Sequence, residues 1–179
     1  LLAAGLTKGK RVAVPNITMI ATINAILWAG AEPVIIDLNE RLCMSIKSLQ
    51  AVEKLDGVIY VPLNGRTEDG IAIEEYCNEK DIILIEDSAH ALGSKYQDKM
   101  CGSLGSMSVF SFTPHKIITM GQGGLVLTDE DNLYEYLIEL KTFNRSKDKS
   151  DWHDGFGLNF KITDLQSALG LSQFEKIND

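Results

Sequence analysis

Lys116 sits where a lysine could do covalent chemistry. Two apolar, β-branched or aromatic runs, 107–112 and 124–128, read as strands. The connection between them carries Pro114, Gly121, Gly123 and Gly124, residues that break strands and permit turns with positive φ. Lys116 lies inside this connection, with Ser111 five residues ahead of it. An ammonium drawn into a cleft is desolvated, which favours the neutral amine, and a neutral amine can attack a carbonyl to form a Schiff base. A loop lysine alone is ordinarily a solvated surface residue. The covalent reading needs a partner.

The stretch Asp81-Ile-Ile-Leu-Ile-Glu-Asp-Ser-Ala-His-Ala-Leu-Gly93 offers one. Its aliphatic run at 82–85 suits a parallel strand buried on both faces, and it ends in Glu86 and Asp87. In open α/β sheets ligands bind beyond the carboxyl ends of the strands. An acid at one strand end and a lysine after a later strand form the pairing that pyridoxal phosphate requires. The lysine binds the aldehyde, and the acid holds the protonated pyridine nitrogen so that the ring can draw off electrons. The plainer reading of Asp87 is an N-cap for a helix opening at Ser-Ala-His-Ala-Leu, and the two roles are compatible.

The elements that must position these groups follow from periodicity. Leu1–Leu6 reads as the end of a helix with Gly5 at its left-handed C′ position. Arg11–Pro15 is a strand, Thr18–Trp28 a helix capped by Thr18 and ended by Gly30, and Pro33–Asp37 a buried strand. A weaker helical period covers Leu42–Leu55. Gly57–Leu63 is a strand, Asn64-Gly a turn, and a helix opens at Asp69 or Gly70 and runs to about Glu79. After the 124–128 strand a helix with acids in its first turn runs to about Phe143. The polar, glycine-containing stretch 144–156 reads as a mobile loop. Thr163 and Gln166 form a capping-box pattern ahead of an amphipathic helix. Alternating strands and helices predict an α/β fold, a mostly parallel sheet with helices on both faces. The Gly-Gln-Gly-Gly run precedes a strand and opens no helix, so it is not a dinucleotide fingerprint.

With 179 residues, 45% of them hydrophobic and 23% charged, the chain can bury one sizeable core. A net charge of −8 without a basic stripe argues against nucleic-acid binding. Cys43, Cys77 and Cys101 show no metal-ligand spacing and read as free cytosolic thiols, so no metal is expected. No apolar run is long enough to span a bilayer, and a cytoplasmic location is expected.

Glu86-Asp-Ser-Ala-His-Ala-Leu-Gly93, then Gly102-Ser-Leu-Gly105, then Ser111-Phe-Thr-Pro-His-Lys-Ile-Ile-Thr-Met-Gly-Gln-Gly-Gly124 together resemble the DegT/StrS-type sugar aminotransferases. These are fold-type-I pyridoxal-phosphate enzymes acting on nucleotide-linked keto sugars. The resemblance covers nearly the whole chain in the family's order. It implies that residues 1–179 are an incomplete large domain, without its first strand and helix and without the smaller C-terminal domain. It further implies a two-stage transfer of an amino group, with glutamate as donor, to a keto group of a nucleotide-linked deoxy sugar. In the family, products of this kind typically feed surface polysaccharides or decorated natural products.

The resemblance also assigns roles. Lys116 would be the Schiff-base lysine and proton shuttle, Asp87 the pyridinium partner, His90 a contact to the ring hydroxyl, and Ser111 a donor to the cofactor phosphate. His115, beside the lysine, could tune it or touch substrate. Pro15–Thr22 would lie over one face of the ring, with Met19 where the family commonly has a stacking aromatic; a thioether can make a similar contact. Asn159 would reach the cofactor phosphate of a partner subunit, which requires at least a homodimer. A Ser-Gly-Thr turn that supplies further phosphate donors would lie upstream of Leu1, leaving the phosphate cup of 1–179 incomplete. Relatives with histidine in place of the lysine are sugar dehydratases, a variant that Lys116 argues against. The alternative from another class is a catalytically silent regulatory or binding homologue that keeps the fold.

Overall fold

The aliphatic runs pair into one six-stranded sheet. In this computed structural model, which describes residues 1–146 and 151–177, the elements in order are β1 (Arg11–Pro15), α1 (Ile20–Trp28), β2 (Glu32–Ile36), α2 (Ile46–Gln50), β3 (Gly57–Tyr60), α3 (Gly70–Lys80) and β4 (Ile83–Asp87). A small hairpin follows, β5 (Lys95–Tyr96) and β6 (Lys99–Met100), then β7 (Met107–Ser111), β8 (Gly124–Leu127), α4 (Asp131–Lys141) and α5 (Asp164–Phe174). The sheet order is β2-β1-β3-β4-β7-β8. All neighbours are parallel except β8, which returns antiparallel to β7.

Strand alternation divides the core into two layers. Ala13, Val58, Tyr60 and Leu84 face one side, where they meet Leu49, Ile73 and Cys77 of the α2 and α3 region. Val12, Val14, Ile59 and Ile85 face the other, against Leu6, Ile26 of α1 and the half-buried Leu133 and Leu137 of α4. Helices therefore cover both faces, as the strand–helix alternation predicts. Among the described residues no helix is long and apolar enough to cross a membrane.

The departures from the sequence reading have local causes. α2 spans five residues rather than the 42–55 expected. Leu42 and Lys54 both adopt positive φ, and Asn39 Oδ1 accepts the N–H groups of Arg41 and Cys43, a side-chain turn that competes with helix. β2 is an edge strand with Ile35 half-exposed, not a buried one. α1 starts one turn's edge later than expected: its N-cap is Met19 without a side-chain cap bond, and the Thr18 hydroxyl faces Thr22 instead. No α-helix follows Asp87; residues 88–94 form turns, and Ala89 N–H donates to Asp87 Oδ1 at 3.3 Å. α4 ends at Lys141, where Phe143 and Asn144 turn left-handed.

Other expectations hold. Gly5 adopts the expected left-handed φ of 68° and Leu6 N–H bonds Leu1 C=O, although residues 2–5 form turns rather than the expected helix end, and Gly30 closes α1 at φ 80°. The Thr163–Gln166 capping box forms reciprocally at α5. Of the stretch 144–156, residues 147–150 lie outside the described residues. Its described flanks pair through an Arg145–His153 bridge, and Asp154 N–H donates to Asn144 C=O.

Candidate active site

The carboxyl ends of β4 and β7 lie side by side, with Asp87 in register with Val109. Period-two alternation sends the two acids that end β4 to opposite faces. Asp87, half-buried, turns to the α1 side, where the Thr22 hydroxyl donates to its Oδ2 at 2.7 Å. Glu86 is fully buried on the other side. Its Oε1 accepts from the Ser88 hydroxyl, from Tyr96 OH at 3.0 Å and from Gly102 N–H at 2.7 Å, and its Oε2 accepts from Leu104 N–H at 3.0 Å. Burial, then the Glu86 charge, raises the Tyr96 phenol, so it stays a donor.

Glu86 thus ties Gly102-Ser-Leu-Gly105 to the strand that carries Asp87. Ser108 adds a hydroxyl bond to Gly102 C=O at 2.7 Å. Gly105, at φ 67°, packs so closely that a Cβ there would lie 2.4 Å from Leu84 C=O. The segment is an anchor for β4.

Lys116 is held by a connection tied at both ends. Phe112 N–H bonds Gly123 C=O, Met120 N–H bonds Phe112 C=O, and Lys116 N–H closes a turn onto Thr113 C=O. Ile118 and Met120 are buried beneath it. A cavity of about 260 Å³ opens here, lined by Asn64, Ala89, His90, Leu92, Phe110, Ser111, His115, Lys116 and Ile117. Ser111 Oγ lies 3.3 Å from Thr113 Oγ1, a long contact that leaves its hydroxyl capacity for another partner.

The electrostatics bind these groups into one neighbourhood. Burial pulls the Lys116 amine below the ordinary lysine range, and the Asp87 charge partly offsets this. Burial likewise lowers His90, helped by the Lys116 charge, opposed by Asp87, and helped again by His115. Among the described residues, His90 Nδ1 is the buried side-chain polar atom without a hydrogen-bond partner.

His90 carries a pH prediction. Its folded-state pKa lies below the ordinary 6.5, so as pH falls through 6.5 the unfolded chain takes up the proton first and stability drops until the folded pKa is reached. NMR of the imidazole should give a midpoint below 6.5, and His90→Gln should lose less stability between neutral and mildly acidic pH. A midpoint at or above 6.5 would contradict the desolvated setting.

Of the residues singled out in the sequence, His90, Ser111, His115 and Lys116 line one cavity, and Asp87 acts on it electrostatically. Met19, 60% exposed, and Asn159, exposed and bridged to Thr142, do not line it. Sequence reasoning missed three residues. Glu86 could have been separated from Asp87 by strand parity. Thr22 is 65 positions from Asp87 and left no local signal. Asn64, in the left-handed region at φ 52°, read only as a turn residue.

The whole chain, residues 1–179, matches the model of the DegT/DnrJ/EryC1/StrS aminotransferase family. It is 37% identical to a GDP-perosamine synthase of Escherichia coli O157:H7 over 100% of this chain and 50% of that protein. It is 33% identical to the UDP-4-amino-4,6-dideoxy-N-acetyl-beta-L-altrosamine transaminase of Helicobacter pylori, over 89% of this chain and 44% of that protein. Among solved structures, an aminotransferase from Psychrobacter cryohalolentis superposes with a TM-score of 0.91 at 30% identity, covering 98% of this chain and 48% of that one. A DegT DnrJ EryC1 StrS aminotransferase from Brucella abortus superposes at 0.93 with 26% identity, over 100% of this chain and 51% of that one. The chain spans about half the length of the curated relatives it matches. The six-stranded sheet, the lysine cavity at its carboxyl edge and these matches agree that the chain belongs to the DegT/DnrJ/EryC1/StrS aminotransferase family.

Proposed function

We propose that residues 1–179 supply the cofactor-binding large domain of an aminotransferase that moves an amino group from glutamate to a keto group of a nucleotide-linked deoxy sugar. The observation that carries this reading is the convergence of Lys116, Ser111 and His90 on one cavity, with the Asp87 charge acting on the lysine. The family is pyridoxal-phosphate-dependent, and the residues present fit that group. The desolvated amine of Lys116 suits an aldehyde, and the Asp87 carboxylate suits a protonated ring nitrogen. The unpartnered Nδ1 of His90 suits a ring hydroxyl, and the Ser111 hydroxyl suits a phosphate oxygen. Bound pyridoxal phosphate supplies an electron sink beside the substrate carbon.

The chain's own residues do the rest. Lys116 Nζ would hold the cofactor until substrate arrives and would then carry the proton between the substrate carbon and the cofactor's former aldehyde carbon. Asp87 orients the ring from the end of a hydrogen-bonded strand. Met19 would cover one ring face from the start of α1, a placement favoured because Thr22, three residues on, reaches Asp87. Asn159 would serve the phosphate of a second protomer. Apolar residues exposed on α5, among them Leu165 at 85% and Leu171 at 67%, favour burial against another copy in a homodimer. The names of the matched relatives carry nucleotide-linked sugars, which favours that substrate class. A cytoplasmic site of action suits such a substrate.

Borohydride reduction of the complete chain loaded with pyridoxal phosphate, followed by peptide mapping, tests the reading. The label is expected on Lys116. A folded, cofactor-saturated chain that carries no label there would remove the aminotransferase assignment.

A further inference from the structure

Thr22 is the buried polar side chain of α1, 5% exposed, and it shares the sheet-facing stripe with Ile26 one turn later. Its Oγ1 lies 2.7 Å from Asp87 Oδ2, and Thr18 Oγ1 lies 3.1 Å from Thr22 Oγ1. The proton direction in this chain of three groups follows from donor capacity. A carboxylate only accepts, so the single Thr22 proton points to Asp87. Thr22 Oγ1 can then only accept from Thr18, and both hydroxyls point the same way. Bonds in such a series polarise one another. Among the described residues, the second Asp87 oxygen receives only the longer Ala89 N–H bond of 3.3 Å.

We infer that Thr22, backed by Thr18, is a positioning residue that fixes the rotation of the Asp87 carboxylate toward the cofactor ring nitrogen. This rests on the proposed role of Asp87. The carboxylate torsion of an aspartate is broad and roughly two-fold, so it does not fix itself. With Oδ2 held by a short bond from a buried hydroxyl and Oδ1 held loosely, one plane is selected. Thr22 also occupies the side of the carboxylate where water would otherwise compete for Oδ2.

A packing role and a positioning role make different forecasts, because valine keeps the shape of threonine and serine keeps its hydroxyl. In the complete chain, the cofactor dissociation constant of the apoprotein, the absorbance spectrum of the bound cofactor and the apoprotein melting temperature are measured for Thr22→Val, Thr22→Ser, Thr18→Val and Asp87→Ala. Thr22→Val is expected to weaken cofactor binding about tenfold, the equivalent of one hydrogen bond to a charged group, and to shift the spectrum. Thr22→Ser is expected to restore both. Thr18→Val is expected to move affinity in the same direction by less, and it keeps the test alive should Thr22→Val melt early. Unchanged affinity and spectrum in Thr22→Val, or a serine variant as impaired as the valine one, would overturn the inference. Asp87→Ala separates the levels: if it binds cofactor like the parent, the role given to Asp87 fails and the inference goes with it. Weakened Asp87→Ala with an unaffected Thr22→Val would overturn the inference alone.

Discussion

Lys116→Ala, made in the complete chain, is expected to cut amino transfer by roughly 10²–10⁴-fold or more, the range typical for loss of a positioned proton-transfer group. The argument rests on placement. Lys116 lies in a connection whose ends are tied by Phe112 to Gly123 and to Met120, which fixes the backbone from which the side chain lines the cavity. Burial already lowers its pKa, and a neutral amine is the form that both bonds a carbonyl and accepts a proton. Alanine removes both capacities and leaves the fold untouched, since the anchors Ile118 and Met120 remain. Small amines added to the Lys116→Ala protein should restore part of the proton transfer at saturating cofactor. Turnover within a few-fold of the parent, at equal cofactor occupancy, would show that another group moves the proton.

Glu86 should give the largest stability effect. Its carboxylate is fully buried and is solvated by two hydroxyls and two backbone N–H groups, while the ion pairs found among the described residues lie elsewhere. Glu86→Ala orphans four donors at once. Each buried unsatisfied group costs about 1–3 kcal/mol, so even with partial rescue by water the loss should exceed about 3 kcal/mol. That is a large share of the ~5–15 kcal/mol a domain typically has. Glu86→Gln keeps the shape but sets an NH2 group against one of the donors, and should fall between the parent and alanine. Urea unfolding followed by circular dichroism ranks the three. A glutamine variant as stable as the parent would show that one of the four donors is dispensable.

The sheet and the lysine connection were legible because their signals are local. Aliphatic runs at 11–15, 57–60 and 83–87 declare strands, and glycines around Lys116 declare a turn. The site beyond them was only partly legible. Lys116, Ser111 and His90 lie in motifs that follow one another closely in the chain, but Thr22 reaches Asp87 across two intervening strands and two helices. The short α2 was hidden by the Asn39 side-chain turn, whose bonds to backbone mimic nothing visible in a hydrophobic period. The missing helix after Asp87 has a related cause. Ser88 and Asp87 both direct side chains at local or buried partners, and Gly93 at φ 85° turns the chain away.

Glu86 and Asp87 are chemically near-identical neighbours given opposite tasks by nothing more than odd and even position on a strand. Their difference is therefore stored in the counting frame of β4, not in the residues. Insertion or deletion of one residue between Ile83 and Glu86 would exchange the faces of the two acids: the glutamate would turn to the α1 side, toward Thr22, and the aspartate to the side of Tyr96 and Leu104. Sequence drift along this strand can change volume freely within limits. It cannot change length, whereas the β5–β6 hairpin tip at 97–98 can absorb both.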